Sequence, residues 1–344
     1  MCFPMHSRID ILDKTSLENY LQERNLINKN ARITYLSGGV SGITALVHSN
    51  GRDMLVKQAL AKLNVAEEWL CDPGRMAIEA RSNRVYHNVV PQNAPEVYFY
   101  DNENYIFGRE AASEYCVMWK TDLMNGKLDF GVARQVIESL IKVHNQCAND
   151  NTVAKDFNDN DIFYELRISP YLEFILQRHP QLINYSRPII DELMNSKITL
   201  VHGDFSPKNV VVDGCKVFIT DFEVAHFGHP CFDLAFLSNH LILKSIHMEC
   251  FSAAYLCMLE YVLDIYFDSA IFMDNMALEK SFLKLLPLLM IARVDGKSPV
   301  EYIVLDVVKQ FVRVTAYNII DNQISTRKNL VMHVTNCLRK RRGN

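Results

Sequence analysis

Residues 200–236 read LVHGDFSPKNVVVDGCKVFITDFEVAHFGHPCFDLAF. Within them Asp213-Gly214 separates Asn209-Val-Val-Val from Lys216-Val-Phe-Ile-Thr. Two β-branched, apolar runs joined by Asp-Gly predict a β-hairpin with a tight turn. The ends of a hairpin lie side by side. Asn209, just before the first strand, is therefore expected near Asp221, just after the second. Asp204 enters the same place from a short loop five residues before Asn209. Two carboxylates and an amide oxygen at one hairpin mouth make a poor apolar core. They make a good hard-cation site, because Mg²⁺ takes oxygen ligands and shares them with substrate phosphates. Glu223 follows Asp221 by two residues. On an extended segment the two side chains share a face, so both are expected at the cation.

An Asp to orient an acceptor hydroxyl, an Asn and an Asp on Mg²⁺, and a distant Lys on the phosphates are the parts of a phosphoryl-transfer site. The stretch resembles the aminoglycoside phosphotransferase and choline kinase-like family, which shares the protein-kinase fold. The resemblance rests on His202, Gly203, Asp204, Asn209, Asp221, Phe222 and Glu223. It extends to Gly228, Pro230, Asp233, Leu234 and Ala235. It implies an α+β, bilobal, protein-kinase-like fold and a cofactor set of ATP and Mg²⁺. By the same resemblance Asp204 is the catalytic group. Asn209 and Asp221 bind the metal, with Glu223 as a further ligand. Asp233 braces the catalytic loop and His202 packs and orients it, both as structural residues. Lys208 either meets a phosphate or is solvated.

Upstream, the resemblance implies a nucleotide-covering loop, a strand Lys and a helix Glu. Leu36–Thr44 contains Gly38, Gly39 and Gly42, which let backbone amides approach phosphates. Lys57 ends the apolar run Met54-Leu55-Val56 and is the expected phosphate-binding lysine. Glu79 lies on a helix predicted to start at Asp72-Pro73 and is its expected partner. Arg75, one turn earlier, reads as a surface ion-pairing residue. Residues 57–80 resemble methylthioribose kinases, with Trp69 either stacked near a ligand or packed. The carboxy-terminal half departs from that pattern, so fold and chemistry carry over and the substrate does not. Residues 106–111 read as a hinge, with backbone groups near Glu110 facing adenine.

Texture divides the chain. Short β-rich runs around one helix fill the first 110 residues, and helical periodicity dominates from 111 to 344. A nucleotide-binding lobe (1–110) and a catalytic, substrate-binding lobe (111–344) are expected. A helix is predicted over 129–147, where apolar residues from Ala133 to Cys147 recur at helical spacing. The helical lobe should supply the acceptor pocket. Its candidate residues are Arg293 and Asp295, charged and next to a glycine after the apolar run Leu285–Ile291. Arg339–Arg342 reads as a solvated basic tail.

Composition narrows the function classes. The 344 residues carry 36 Lys and Arg against 40 Asp and Glu, a net charge of −4. Nucleic acid is not the expected partner, since its binders carry basic excess. Nine scattered cysteines argue against a disulfide framework and for a reducing, cytoplasmic setting. No signal peptide is read at the N-terminus. The apolar region 232–273 is broken by Asn239, His240, Lys244, Glu249, Glu260 and Asp264, so it reads as core helices rather than a membrane span. The expected activity is ATP- and Mg²⁺-dependent phosphorylation of a hydroxyl on a small metabolite, a sugar or sugar-like compound. Alternatives are an aminoglycoside or choline-type amino-alcohol kinase and a catalytically inactive nucleotide-binding protein. A protein kinase is disfavoured by the short segment between Glu223 and Pro230. Oligomeric state is left open.

Overall fold

The computed structural model describes residues 9–36, 42–49, 51–60 and 72–343. The loop glycines Gly38 and Gly39, and Trp69, lie outside these residues. The chain opens with α1 (Lys14–Glu23), capped by Asp13, whose carboxylate accepts from Thr15 N. Strands β1 (Arg32–Leu36), β2 (Gly42–Ser49), β3 (Arg52–Ala59), β4 (Val97–Asp101) and β5 (Ile106–Glu110) form an antiparallel sheet. Its order is β1-β2-β3-β5-β4. Helix α2 (Arg75–Val89) stands between β3 and β4 in sequence. It begins two residues later than the Asp72-Pro73 signal predicts, with Gly74 at the N-cap, because Asp72 instead closes a turn by accepting from Gly74 N.

The rest is mainly helical. In order come β6 (Val117–Met118), α3 (Trp119–Met124), α4 (Phe130–Cys147), α5 (Asn151–Asp156) and α6 (Asp161–Phe163). A π-helical segment, Tyr164–Glu173, continues from α6 and contains Pro170. Then follow α7 (Ile183–Asn195), β7 (Thr199–Val201), β8 (Val210–Asp213), β9 (Lys216–Ile219), β10 (His226–Gly228) and α8 (Cys231–His247). Helices α9 (Ser252–Ser269), α10 (Asn275–Asp295), α11 (Asp306–Asp321) and α12 (Arg327–Gly343) complete the chain. The architecture is α+β and bilobal: a β-sheet region followed by a larger helical one. The residues around Arg339–Arg342, read as a solvated tail, belong to α12.

Two cores explain the division. Ile33, Ala45, Val47, Val56 and Ile106 pack with Leu17, Tyr20 and Leu21 of α1. A much larger core unites α4, α8, α9 and α10 with the hairpin β8–β9. Tyr86 and Val90, from the end of α2, join that second core, so this helix ties the sheet to the helical region. Helix α9 is long and apolar enough to cross a membrane, but half of that stretch is buried here, against α4, α8 and α12. Helix α10 is buried on every side through its last three turns, from Leu285 to Asp295, as expected of a core helix with no polar face. The hairpin predicted from Asp213-Gly214 forms, with Val210 opposite Ile219 and Asp213 opposite Lys216. Gly214 takes φ +60° at its turn, where L residues are strained.

Candidate active site

The sheet presents Lys57 from β3, between Thr44 of β2 and Phe107 of β5. The lysine is buried. Its Nζ donates to Glu79 Oε2 at 2.8 Å and to Asp221 Oδ1 at 2.7 Å. Burial alone would lower the lysine's pKa, but Asp221, Glu79 and Glu223 outweigh it and raise it. Asp221 is likewise held below the usual carboxylate range: burial opposes ionisation, and Lys57 and Lys208 overcome it. Glu79 moves up, because its desolvation is only partly offset by Lys57. Gly42 belongs to this neighbourhood by packing. A Cβ there would stand 2.6 Å from Gln58 O, beside Lys57, so glycine lets β2 and β3 approach.

The segment after β9 differs from expectation in its route. Asp221 is not extended but left-handed, at φ +69°, a region Asp tolerates better than most residues. A turn follows, with Ala225 N bonded to Phe222 O. The result still gathers charge: the ligand oxygens of Glu79, Asp221 and Glu223 lie within 4.8 Å of one another. Phe222 locks the turn, its ring 4.6 Å from Tyr86 and 4.9 Å from His202. Arg75 is a correction. It is fully buried rather than at the surface, donating to Glu223 Oε2 at 3.1 Å and to the carbonyls of Asp72 and Leu60. One oxygen of Glu223 is therefore already engaged by a guanidinium.

The loop from His202 to Asn209 is built around Asp204. Its Oδ2 receives Arg167 Nη2 at 3.0 Å, Lys208 Nζ at 2.8 Å and Asn209 Nδ2 at 2.8 Å. Its Oδ1 is buried and, among the described residues, has no hydrogen-bond partner. Burial would raise this carboxyl's pKa, but Arg167 and Lys208 lower it on balance. The loop is clamped from α8. Asp233, fully buried, accepts from His202 N at 2.7 Å and Gly203 N at 2.9 Å. Gly203 has φ +77°, and a Cβ there would meet Val224 O at 2.5 Å, so only glycine fits. His202 Nδ1 accepts from Asp204 N, while Nε2 faces Thr220 O at 3.2 Å. That pair of contacts needs the neutral Nε2–H tautomer. Burial, which lowers this pKa, favours the same form.

Other expected positions diverge. Glu110 closes β5, with its N–H donating to Glu96 O and its carbonyl accepting from Arg109 Nη1. Residues 106–110 are thus a strand in the sheet rather than a hinge, and Glu110's amide is committed to Glu96. Asp295 faces away from an acceptor role. It takes both Arg313 Nε and Nη2 at 2.7 Å, and His179 Nε2 at 2.8 Å, a buried clamp between α10 and α11. Arg293, two residues earlier on α10, donates to Tyr171 OH at 2.9 Å and to Ser298. Arg167 and Tyr171 were not legible as site residues, since their π-helical segment reads as an interrupted apolar run. Pro170 within it was the one available signal, because a π-bulge often marks a functional site.

A family model described as the phosphotransferase enzyme family matches residues 32–245, from β1 into α8. This chain belongs to that family. Curated relatives of this phosphotransferase are more distant. It is 25% identical over 221 residues to a methylthioribose kinase of Geobacillus kaustophilus, covering 56% of this chain and 55% of that one. It is 25% identical over 279 residues to a methylthioribose kinase of Bacillus velezensis, covering 69% and 70%. The first match thus spans about half the relative's length. Among solved structures, a choline/ethanolamine kinase family protein from Mesorhizobium loti superposes with a TM-score of 0.54 at 13% identity. It covers 95% of this chain and 99% of its own. An ethanolamine kinase of Plasmodium vivax gives 0.55 at 13% identity, covering 91% of each. These likenesses establish the fold. The family match ends before α9, so Arg293 and Asp295 of α10 lie beyond it.

Proposed function

We propose that this phosphotransferase moves the γ-phosphoryl group of ATP to a hydroxyl of a small metabolite, a sugar or sugar-like compound, with Mg²⁺ as cofactor. The single observation that carries the reading is the uncommitted, buried Oδ1 of Asp204, next to an Oδ2 fixed by Arg167, Lys208 and Asn209. A carboxylate so oriented accepts a hydrogen bond from an acceptor hydroxyl. Its lowered pKa makes it an orienting group rather than a strong base, which suits a loose phosphoryl-transfer transition state. The P–O bond to the leaving ADP oxygen breaks with its electron pair. The bond from phosphorus to the acceptor oxygen forms, and the hydroxyl proton departs toward Asp204 and solvent.

Lys57, aligned by Glu79, is assigned to the phosphates. Asp221 and Asn209 suit a hard cation. Asp221 Oδ2 and Asn209 Oδ1 take no hydrogen bond among the described residues, while Asn209 Nδ2 is tied to Asp204. When bound there, Mg²⁺ supplies neutralisation of phosphate charge. The low-identity methylthioribose kinase relatives favour a sugar-like acceptor. Buried thiols such as Cys147 and Cys231 suit a reducing compartment, and we place the activity in the cytoplasm. The test is acceptor-dependent ADP release from Mg²⁺-ATP across pentoses, methylthioribose, hexosamines, amino alcohols and aminoglycosides. Asp204→Asn should abolish the signal while Mg²⁺-ATP binding persists. An undiminished rate in Asp204→Asn would sink the assignment.

A further inference from the structure

On the helical side of Asp204 buried basic side chains gather on α8 and α10, where the buried carboxylates are already matched: Asp233 by the His202 and Gly203 amides, and Asp295 by Arg313 and His179. His240 and Lys244 lie one turn apart on α8, and Arg293 lies on α10. All three are buried. Aromatic rings connect them to the catalytic loop. Tyr171 accepts from Arg293 through its hydroxyl, and its ring centroid is 5.8 Å from the Arg167 guanidinium. Phe236 lies 5.9 Å from Tyr171, 5.8 Å from Arg167 and 5.3 Å from His240, centre to centre. Lys244 Nζ sits 5.0 Å from the ring of Tyr302. Lys120 of α3 pairs with Glu301 in the neighbouring segment. This wall therefore holds five basic side chains, Lys120, Arg167, Lys208, Lys244 and Arg293. Its carboxylates are Asp204 and Glu301.

Part of its donor set is unmatched, although Lys120, Arg167 and Lys208 pair with carboxylates and Arg293 Nη1 bonds to Tyr171 and Ser298. Among the described residues the Lys244 ammonium makes no hydrogen bond or ion pair, and its contact is the Tyr302 ring. Arg293 Nε, His240 Nε2 and Tyr302 OH are buried with no hydrogen-bond partner among the described residues. Buried polar groups in native proteins are nearly always satisfied, and a buried lysine without a counter-charge is costly. Neighbouring groups agree. Burial, Lys120 and Arg293 together pull Lys244 down to about 7, against the opposing pull of Glu301.

We propose, on the basis of the kinase reading above, that the acceptor is an anionic hydroxylated compound. Its carboxylate or phosphate ester is received by Arg293, His240 and Lys244, while Asp204 receives its hydroxyl. Arg293 supplies directional hydrogen bonds to such an oxyanion, and Lys244 a point charge. A cationic acceptor of the choline or aminoglycoside kind meets like charge here, which disfavours it. Binding of the anion raises the pKa of Lys244, so proton uptake accompanies it near neutral pH.

The experiment uses the full chain with matched probes: glucose against gluconate and glucose 6-phosphate, with choline and kanamycin as cationic arms. Thermal shift and ADP release from Mg²⁺-ATP are read for each. At least one anion should stabilise the protein and exceed glucose in kcat/KM by on the order of tenfold. Lys244→Met should remove that preference, and Lys244→Gln gives a second variant should the first fold poorly. Gluconate alone responding assigns a carboxylate, and glucose 6-phosphate alone a phosphate ester. Equal or better use of glucose, choline or kanamycin overturns the proposal and leaves the kinase reading in place. So does the absence of any anion response while Mg²⁺-ATP still binds. Failure to bind Mg²⁺-ATP would instead overturn the kinase reading beneath it.

Discussion

The two sides of the cleft are built on opposite charge balances. Toward the sheet, Lys57 and Arg75 face Glu79, Asp221 and Glu223, and the two cations are bonded within the cluster. Toward α8 and α10, five basic side chains face Asp204 and Glu301, and among the described residues the Lys244 ammonium is in no ion pair. The first cluster is short of positive charge and suits an added cation. The second has an excess and suits an added anion. By our proposals, the first receives a metal nucleotide and the second an acidic acceptor. Both selections use the same physics, since desolvated charge is costly until it is matched.

The comparison breaks first at Lys57. Lys57→Met leaves Glu79 and Asp221 buried without their ammonium, and breaking such a buried pair costs about 3–5 kcal/mol. Urea unfolding at pH 7 should show the loss. Part of it should recover as pH falls and Glu79, whose pKa is already raised, becomes protonated. A variant as stable as the parent would mean the cluster is not the matched network described.

Asp204→Asn comes next. It should lower kcat by about 10²–10⁴-fold, the range for a positioned acid–base group, with little change in the thermal shift given by Mg²⁺-ATP. The sign of the pH effect follows from the lowered pKa of Asp204. The carboxylate's contribution is complete above the usual Asp value of about 3.9 and is lost as pH falls through the lower folded value. A pH–rate profile whose acid limb lies well above that range belongs to another group.

Lys244 sharpens the contrast in the opposite direction. Its folded pKa, about 7, lies below its ordinary value of 10.5, so the unfolded chain binds the extra proton between those values. Stability should rise with pH across that window and carry the full penalty below it. Lys244→Met should therefore stabilise the protein by about 2–3 kcal/mol at pH 6, with the gain shrinking toward pH 10. Lys120, Arg293, Glu301 and His247 share this field, so the comparison is made in their presence. A destabilised Lys244→Met at pH 6 would show that the ammonium is matched after all.

Asp295→Asn gives the smallest effect. It removes the charge facing Arg313 and His179 and should cost about 1–2 kcal/mol. The KM for ATP should stay unchanged, because Asp295 holds α11 to α10 rather than facing the loop of Asp204. A large change in that KM would return Asp295 to the site.

Legibility followed sequence distance. Asp204, Asn209, Asp221 and Asp233 were readable because one loop, one hairpin and one helix start carry them within thirty residues. Lys57 and Glu79 were readable through a strand and the helix after it. Arg75 was misread because a helical charge looks solvated until its helix is packed. Its partner Glu223 is 148 residues away. Asp295 was misread because two partners, His179 and Arg313, approach it from separate helical segments. His240 and Lys244 registered only as interruptions in an apolar run.

By itself, then, the amino-acid sequence determined the family's motif spacing and the division into a β-rich and a helical part, because both depend on short-range spacing and periodicity. Only the tertiary structure decided which charges gather on the helical side of Asp204. A local field is a sum over groups brought together by packing, here from α3, the π-helical segment, the catalytic loop, α8 and α10. No window of sequence contains that sum.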